Sequence, residues 1–261
     1  MATILDLAAH LEGVRAAMVA MVRYADRAGL RAPVPTTPDW TVRRLLAHQG
    51  MVHRWATAVV TGSEPTPDRW EREGLESLDP VEWLRDGAIE VVTAISSAPE
   101  DLDALVFLAD APSPRHFWGR RQCHETTIHA VDALAASLGR YPVAADATWI
   151  ATEVALDGID ELLTGFLPRP VSRLRCDDGR RIAVRPDEGE GGWLVELSAA
   201  PPVTTPFAGQ VPEADVELTG SAVALYLTLW NRSDEAKPTD GPTDGPGGGW
   251  DDWRDSAQVS W

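Results

Sequence analysis

Arg121-Gln-Cys-His-Glu-Thr-Thr-Ile-His-Ala-Val-Asp132 is the stretch on which the reading of this chain turns. Glu125 and His129 stand four residues apart in a segment of helical character. At about 100° per residue, that spacing sets two side chains on one face, one turn apart. A carboxylate and an imidazole so placed are able to share one divalent metal. Asp132 returns to the same face, where it either orients a ligand imidazole or caps and pairs with an arginine. His124 lies five residues before His129, roughly 140° away around the helix. The His-Glu-x-x-His zinc signature needs histidines four apart and is therefore absent. What remains is a Glu-x-x-x-His pair that lacks a third ligand.

Outward from this motif, the N-terminal half reads as helices. Residues 3–30 carry Ile4, Leu7, Leu11, Val14, Met18 and Met21 at helical spacing. Pro33, Pro35 and Pro38 interrupt the pattern. Asp39-Trp40-Thr41 then opens a second helix, with Asp39 or Thr41 as its cap, which runs to Gly62. Residues 63–79 are polar and turn-rich. A third helix spans 80–97 with proline in its first turn. Pro112 and Pro114 precede the fourth, which holds the motif and ends near Gly139. Four helices in the first 140 residues or so predict a four-helix bundle.

A helical stretch at 145–167 leads past Pro168 and Pro170 into a different pattern. Residues 171–176 and 181–185 alternate around Asp177-Asp178-Gly179, a hairpin signal. Residues 193–197 and 216–218 read as further short strands, and 220–230 as a helix. The expected division is a bundle over 1–167, a small α+β domain over 168–233 and a disordered acidic tail over 234–261. The tail repeats Pro-Thr-Asp-Gly from Pro238 and then runs through Gly247–Gly249, a composition too poor in apolar surface to offset its ordering entropy. Trp250, Trp253 and Trp261 lie in it, either docked or exposed.

Metal ligands of a bundle project inward from facing helices. On the second helix His48 shares a stripe with Leu45, Val52 and Trp55, whereas His53 is turned away. His48 opposite Glu125 and His129 makes a His2Glu set with an open position, the arrangement of a catalytic zinc site. The alternative is that His48 and His129 are hydrogen-bonded core histidines and Glu125 an ion-pair partner. His124 and His53 read either as outer residues of the site or as surface groups. His10 and His116 have no supporting pattern, and Cys123 reads as a small buried apolar residue.

Composition bounds the function classes. Of 261 residues, 44% are hydrophobic, enough to bury a sizeable core. The 23 basic and 40 acidic residues give a net charge of −17, which argues against a nucleic-acid partner. The chain shows no secretory leader and no apolar run of membrane-spanning length. Its two cysteines are too few for a disulfide scaffold. A cytoplasmic monomer or homodimer is the expectation.

Three stretches carry a family resemblance. Pro38-Asp-Trp-Thr-Val-Arg-Arg-Leu-Leu-Ala-His48 resembles the first metal element of the mycothiol-dependent maleylpyruvate isomerase family. His124-Glu-Thr-Thr-Ile-His-Ala-Val-Asp132 resembles its second. Gly220-Ser-Ala-Val-Ala-Leu-Tyr-Leu-Thr-Leu-Trp-Asn-Arg232 resembles the last helix of its C-terminal domain. The resemblance covers residues 3–233. It implies a DinB-like bundle holding zinc, or another divalent metal, through His48, Glu125 and His129, followed by a sterol-carrier-like α+β domain. It further implies mycothiol as thiol cosubstrate and an arginine needed for activity at Arg232. His124 directly before Glu125 is typical of a broad branch of the family rather than of the isomerases proper.

The expected function is thus a zinc-dependent enzyme that uses a low-molecular-weight thiol for isomerisation or S-transfer on a small electrophilic substrate. Arg232, with Arg120 or Arg121, would hold a substrate carboxylate, in a cleft between the two domains. The rival readings are a metal-dependent hydrolase and a non-catalytic binding module.

Overall fold

The computed structural model describes residues 5–108, 111–239 and 253–257. Helix α1 (Leu7–Ala28) begins where the Asp6 carboxylate accepts from the Ala9 N–H at 2.8 Å, and ends at Gly29. Helix α2 (Val42–Thr61) is capped by Thr41, the second of the two expected caps, and stops at Gly62 in the left-handed conformation. Helix α3 (Pro67–Glu76) occupies a segment expected to be turn-rich. Only Gly74 of α3 is buried, so the segment has no apolar stripe by which to announce itself. The region thus holds one helix more than the four expected. Helix α4 (Pro80–Ser97) is capped by Asp79.

Helix α5 (Pro114–Leu138) is central to the bundle. From Phe117 to Ala136 every residue except Arg120 is buried. It packs along α1 and against α2, while α2 also packs on α4. Val14, Met21, Leu45, Leu46, Leu84 and Ala133 fill the space between them. A helix buried on all sides must provide partners for its polar side chains, because an unpaired buried polar group is costly. That requirement organises the site described below.

Helix α6 (Thr152–Asp160) runs without a break into a π-helical stretch, Glu161–Phe166. A five-stranded sheet follows, ordered β3-β2-β1-β4-β5. Its strands are β1 (Arg180–Pro186), β2 (Gly191–Leu197), β3 (Val203–Ala208), β4 (Val216–Gly220) and β5 (Pro238–Thr239). β1 pairs with β2 antiparallel, Ile182 opposite Val195, and with β4 parallel, Val184 opposite Leu218. Helix α7 (Ala222–Leu229) packs against α6, and α8 (Trp253–Ser256) closes the described chain. Ile159, Leu162, Ile182, Val184, Leu218 and Leu225 belong to one apolar core that continues into Trp118, Ile128 and Val131 of the bundle.

Three expectations are corrected. The stretch 171–176 is not a strand. It buries Leu174 alone and is tied to the sheet edge by the Cys176 N–H donating to the Ser198 carbonyl at 3.0 Å. The hairpin instead joins β1 to β2 through 187–190, and Gly179 (φ 74°) forms the turn that feeds β1. Strand β3 went unanticipated because it is an exposed edge with Pro206 inside it. The expected disordered tail does not begin at 234. Pro238 and Thr239 pair with β4, and Trp253 is buried with its indole N–H on the Leu229 carbonyl at 3.0 Å. Positions 240–252 and 258–261, with Trp250 and Trp261, lie outside the described residues. Among the described residues no helix is long and apolar enough to cross a membrane.

Candidate metal centre

His48 of α2 and Glu125 and His129 of α5 converge, with one potential ligand atom from each lying within 4.8 Å of the others. Glu125 Oε1 is 3.3 Å from His129 Nε2 and 3.8 Å from His48 Nε2. Two ligands about 2.0–2.1 Å from one tetrahedral ion sit about 3.3–3.4 Å apart, so the spacing fits a shared cation with little adjustment. Oε1 is buried and makes no hydrogen bond, which is what an acceptor reserved for a cation looks like. Trp40, just before α2, packs on both imidazoles, 4.8 Å from His48 and stacked 5.8 Å from His129 between ring centroids.

Each ligand on α5 is fixed from behind. His129 Nδ1 donates to Asp132 Oδ2 at 2.9 Å, which turns Nε2 toward Glu125 and His48. Asp132 is held in turn by Arg232, Nε on Oδ1 at 3.0 Å and Nη2 on Oδ2 at 3.1 Å, and by the Thr36 hydroxyl at 2.6 Å. Glu125 Oε2 accepts from Arg121 Nη2 at 3.1 Å, and Arg121 also pairs with Glu161 at the start of the π-helical turn. Arg121 is fully buried, a cation placed between two carboxylates.

The electrostatics follow from this packing. Burial opposes charge on His129, but its hydrogen bond to Asp132 and the Glu125 carboxylate beside it override that and raise its pKa to about 9. Burial likewise disfavours the Glu125 carboxylate, yet His129, His48 and Arg121 hold it well below the usual range. Asp132 is also held low against its burial, chiefly by the Arg232 charge and then by His129. A proton on His129 thus neutralises the carboxylates, a role that a divalent cation between the same groups takes over.

The remaining sequence candidates divide cleanly. His53 is buried away from this centre, bonded to Gln49 and Thr126, and burial with the nearby Arg54 charge lowers its pKa to about 3. His124 points to the opposite side of α5, where it and His10 both meet Asp157 Oδ2, at 2.7 and 3.1 Å. These three also cluster tightly enough for a metal. Arg120, however, donates to the same Asp157 oxygen at 2.9 Å, so a cation already sits there and the group is a hydrogen-bonded junction. His116 bonds only weakly, at 3.4 Å, to Ser113. Cys123 packs where α1 crosses α5 at Gly13, and burial, with Asp157 nearby, pushes its thiol pKa up. Arg120 and Arg121 are committed to buried carboxylates and are not placed to receive a substrate, contrary to expectation. Sequence reading missed Arg121 as the support of Glu125, and Thr36 and Glu161 altogether, and it placed Trp40 at the start of α2 without its contact to the two imidazoles. The Arg121–Glu125 spacing of four residues was the one available signal.

His48, Glu125 and His129 open onto a cavity of about 480 Å³. Its walls come from both halves of the chain, Thr36, Trp40 and Ile128 on the bundle side and Trp230, Asn231 and Arg232 on the other. This is the cleft between domains that the sequence anticipated.

Comparison with known proteins agrees with this architecture. The family model described as the mycothiol maleylpyruvate isomerase N-terminal domain matches residues 11–134, and that described as the MDMPI C-terminal domain matches residues 153–255. No curated protein sequence matches. The crystal structure of the mycothiol-dependent maleylpyruvate isomerase is similar at a TM-score of 0.59 and 17% identity, covering 90% of this chain and 93% of that one. The structure of a histidine-to-alanine mutant of that enzyme matches equally well. With the same two domains in the same order over almost its whole length, the chain belongs to the mycothiol-dependent maleylpyruvate isomerase family.

Proposed function

We propose that this chain is a zinc-dependent enzyme that uses mycothiol to isomerise, or to transfer sulfur onto, a small carboxylate-bearing electrophile of the maleylpyruvate type. The observation that carries the reading is the His48/Glu125/His129 set opening onto a cavity walled by both lobes. A zinc ion on these three residues would leave a coordination position facing the cavity and would supply the Lewis acidity that keeps a thiol ionised near neutral pH.

Charge accounting supports an anionic ligand there. With His129 neutral, as a metal ligand must be, Glu125, Glu161 and Asp132 face Arg121 and Arg232, which leaves one excess negative charge among these buried groups. A dication reverses the sign, so that one further anion, such as a thiolate, restores neutrality. The thiolate adds to the substrate's cis carbon–carbon double bond, forming a C–S bond as the π pair moves toward the adjacent carbonyl. The former double bond then turns about its single-bond axis. Return of the electron pair expels the thiolate and leaves the trans isomer, with no net change in atoms or charge.

The protein's own side chains hold this geometry. Asp132 fixes the tautomer of His129, Arg232 fixes Asp132, and Arg121 fixes Glu125. Arg232 is in this reading a positioning residue, since its Nε and Nη2 serve Asp132 and its Nη1 the Trp230 carbonyl. Trp40 and Trp230 wall the cavity with aromatic surface.

Metal content by mass spectrometry, wild type beside His48→Ala and His129→Ala, tests the first half. One zinc per chain in the wild type and its loss in both variants is the expected result. Turnover of maleylpyruvate that requires added mycothiol tests the second. Turnover indifferent to thiol would move the chain to metal-dependent hydrolysis, and a folded protein that takes up no metal would overturn the reading.

A further inference from the structure

Part of the tryptophan-bearing tail forms a wall of the cavity. Residues 253–257 lie as a strap against the end of α7. The Trp253 side chain is 2% exposed and is anchored on the Leu229 carbonyl. Ala257 is buried in the same core. Between these anchors the Asn231 side-chain amide donates to the carbonyls of Ala257, at 3.3 Å, and Arg254, at 3.5 Å. Asn231 has φ 62°, the left-handed conformation that asparagine tolerates better than most residues. That turn sets Asn231 beside Arg232, so one short loop serves both the metal centre and the strap.

Two arginines line the cavity, Arg232 and Arg254. Arg232 is committed to Asp132 and the Trp230 carbonyl. Arg254 lies over the Tyr141 ring, 4.7 Å from its centroid, pairs with Asp234 and donates to the Ser233 carbonyl at 3.4 Å. Asp234 is 70% exposed and Arg254 41%. An ion pair so open to water contributes little stability, and exchanging Asp234 for another carboxylate costs correspondingly little. A guanidinium fork is also the group best suited to a planar carboxylate.

We infer that Arg254, carried by this strap, receives the anionic end of the substrate at the cavity mouth. The strap is thereby a specificity wall. The substrate class, a short unsaturated carboxylate, rests on the thiol-dependent reading above. The location of the anion subsite does not.

The test is calorimetric titration of the full chain with maleate at constant ionic strength, on zinc-loaded and on chelator-treated protein. Maleate is expected to bind both forms. Arg254→Gln should weaken binding about tenfold or more in both, the loss of a charge-assisted contact. Arg254→Lys, which keeps the charge but not the fork, should fall between. Asn231→Gly keeps the left-handed backbone while freeing the strap, and should weaken binding by a smaller factor. In turnover, Arg254→Gln should raise KM more than it lowers kcat, with zinc content unchanged. Failure of maleate to bind the chelator-treated wild type, or equal affinity of wild type and Arg254→Gln, would overturn the inference. Absence of zinc or of thiol-dependent turnover in the wild type would instead strike the functional reading, while the maleate titrations still decide the anion subsite.

Discussion

Asp132 has Oδ2 on His129 and Oδ1 on Thr36, and both oxygens on Arg232. Asp132→Asn keeps the shape but removes the charge, and it allows an amide NH2 to face the imidazole it should steady. Zinc affinity should fall about 10- to 100-fold, measured by competition with a chromophoric chelator. Wild-type affinity in a folded variant would remove Asp132 from the metal centre. His53 makes a separate prediction about acid stability. Burial, with the Arg54 charge, holds its folded pKa at about 3, against about 6.5 for a histidine open to water. Between those values the unfolded chain binds a proton that the folded chain does not, so stability falls as pH falls. The slope approaches about 1.4 kcal/mol per pH unit for one proton. His53→Gln should flatten the acid limb of a denaturant-midpoint series between pH 6 and 4, and an unchanged slope would contradict it. At this scale the convergence of His48, Glu125 and His129 was legible, because helical spacing alone puts Glu125 and His129 on one face and His48 on an apolar stripe. The grip of Arg232 on Asp132 was not, since it joins residues 100 positions apart, and local periodicity carries no information on such a pair.

Among the elements, α5 and α6 meet with so little room that a glycine is required. A Cβ on Gly158 would fall 2.3 Å from Tyr226 Cε2 and 2.8 Å from His124 Nδ1. The Gly158 carbonyl also accepts from the Trp230 indole at 3.0 Å. Gly158→Ala therefore overpacks the junction among α5, α6 and α7, at a cost of about 1–3 kcal/mol. The melting temperature should drop by several degrees, read by circular dichroism, and no change would mean that α6 shifts freely. This junction explains what sequence conveyed at the level of elements. Helix α1 was legible from its apolar stripe, α2 from a stripe and a cap together, and α4 from the proline in its first turn. Helix α3 has neither a stripe nor a side-chain cap, and β3 presents a proline on an edge. The alternation in 171–176 looked like a strand, but only Leu174 reaches the core. Periodicity detects elements through the surface they bury, and these three bury almost none.

Over the whole molecule, the candidate metal centre draws on both lobes. His48, Glu125 and His129 belong to α2 and α5, but the arginine that steadies Asp132 follows α7. The same apolar core passes from Trp118 and Ile128 to Leu225 and Trp193. A polar chain runs beside it, in which Arg120 of α5 holds Asp157 and Asp160 of α6 and Asp160 accepts from the Trp193 indole of β2 at 2.9 Å. A chain joined this way should unfold as one unit, and zinc should stabilise all of it. At a free zinc concentration about 100 times Kd the gain is about 2.7 kcal/mol, a rise of roughly 5–10 °C for a chain near this size. Arg232→Gln leaves every ligand in place but leaves Asp132 short of its cation, so His129 is oriented less firmly. A tenfold loss of affinity removes about 1.4 kcal/mol of that gain, and the zinc-induced rise should shrink by about half. Calorimetry on both proteins, with and without zinc, reads this directly. A single endotherm with an equal rise in both would mean that the C-terminal lobe supports the fold but not the metal. Two separated endotherms, with only the first shifted by zinc, would mean that the shared core does not couple the lobes. A single endotherm whose shift depends on Arg232 is the result expected if the second lobe sets the first lobe's metal affinity through one buried ion pair.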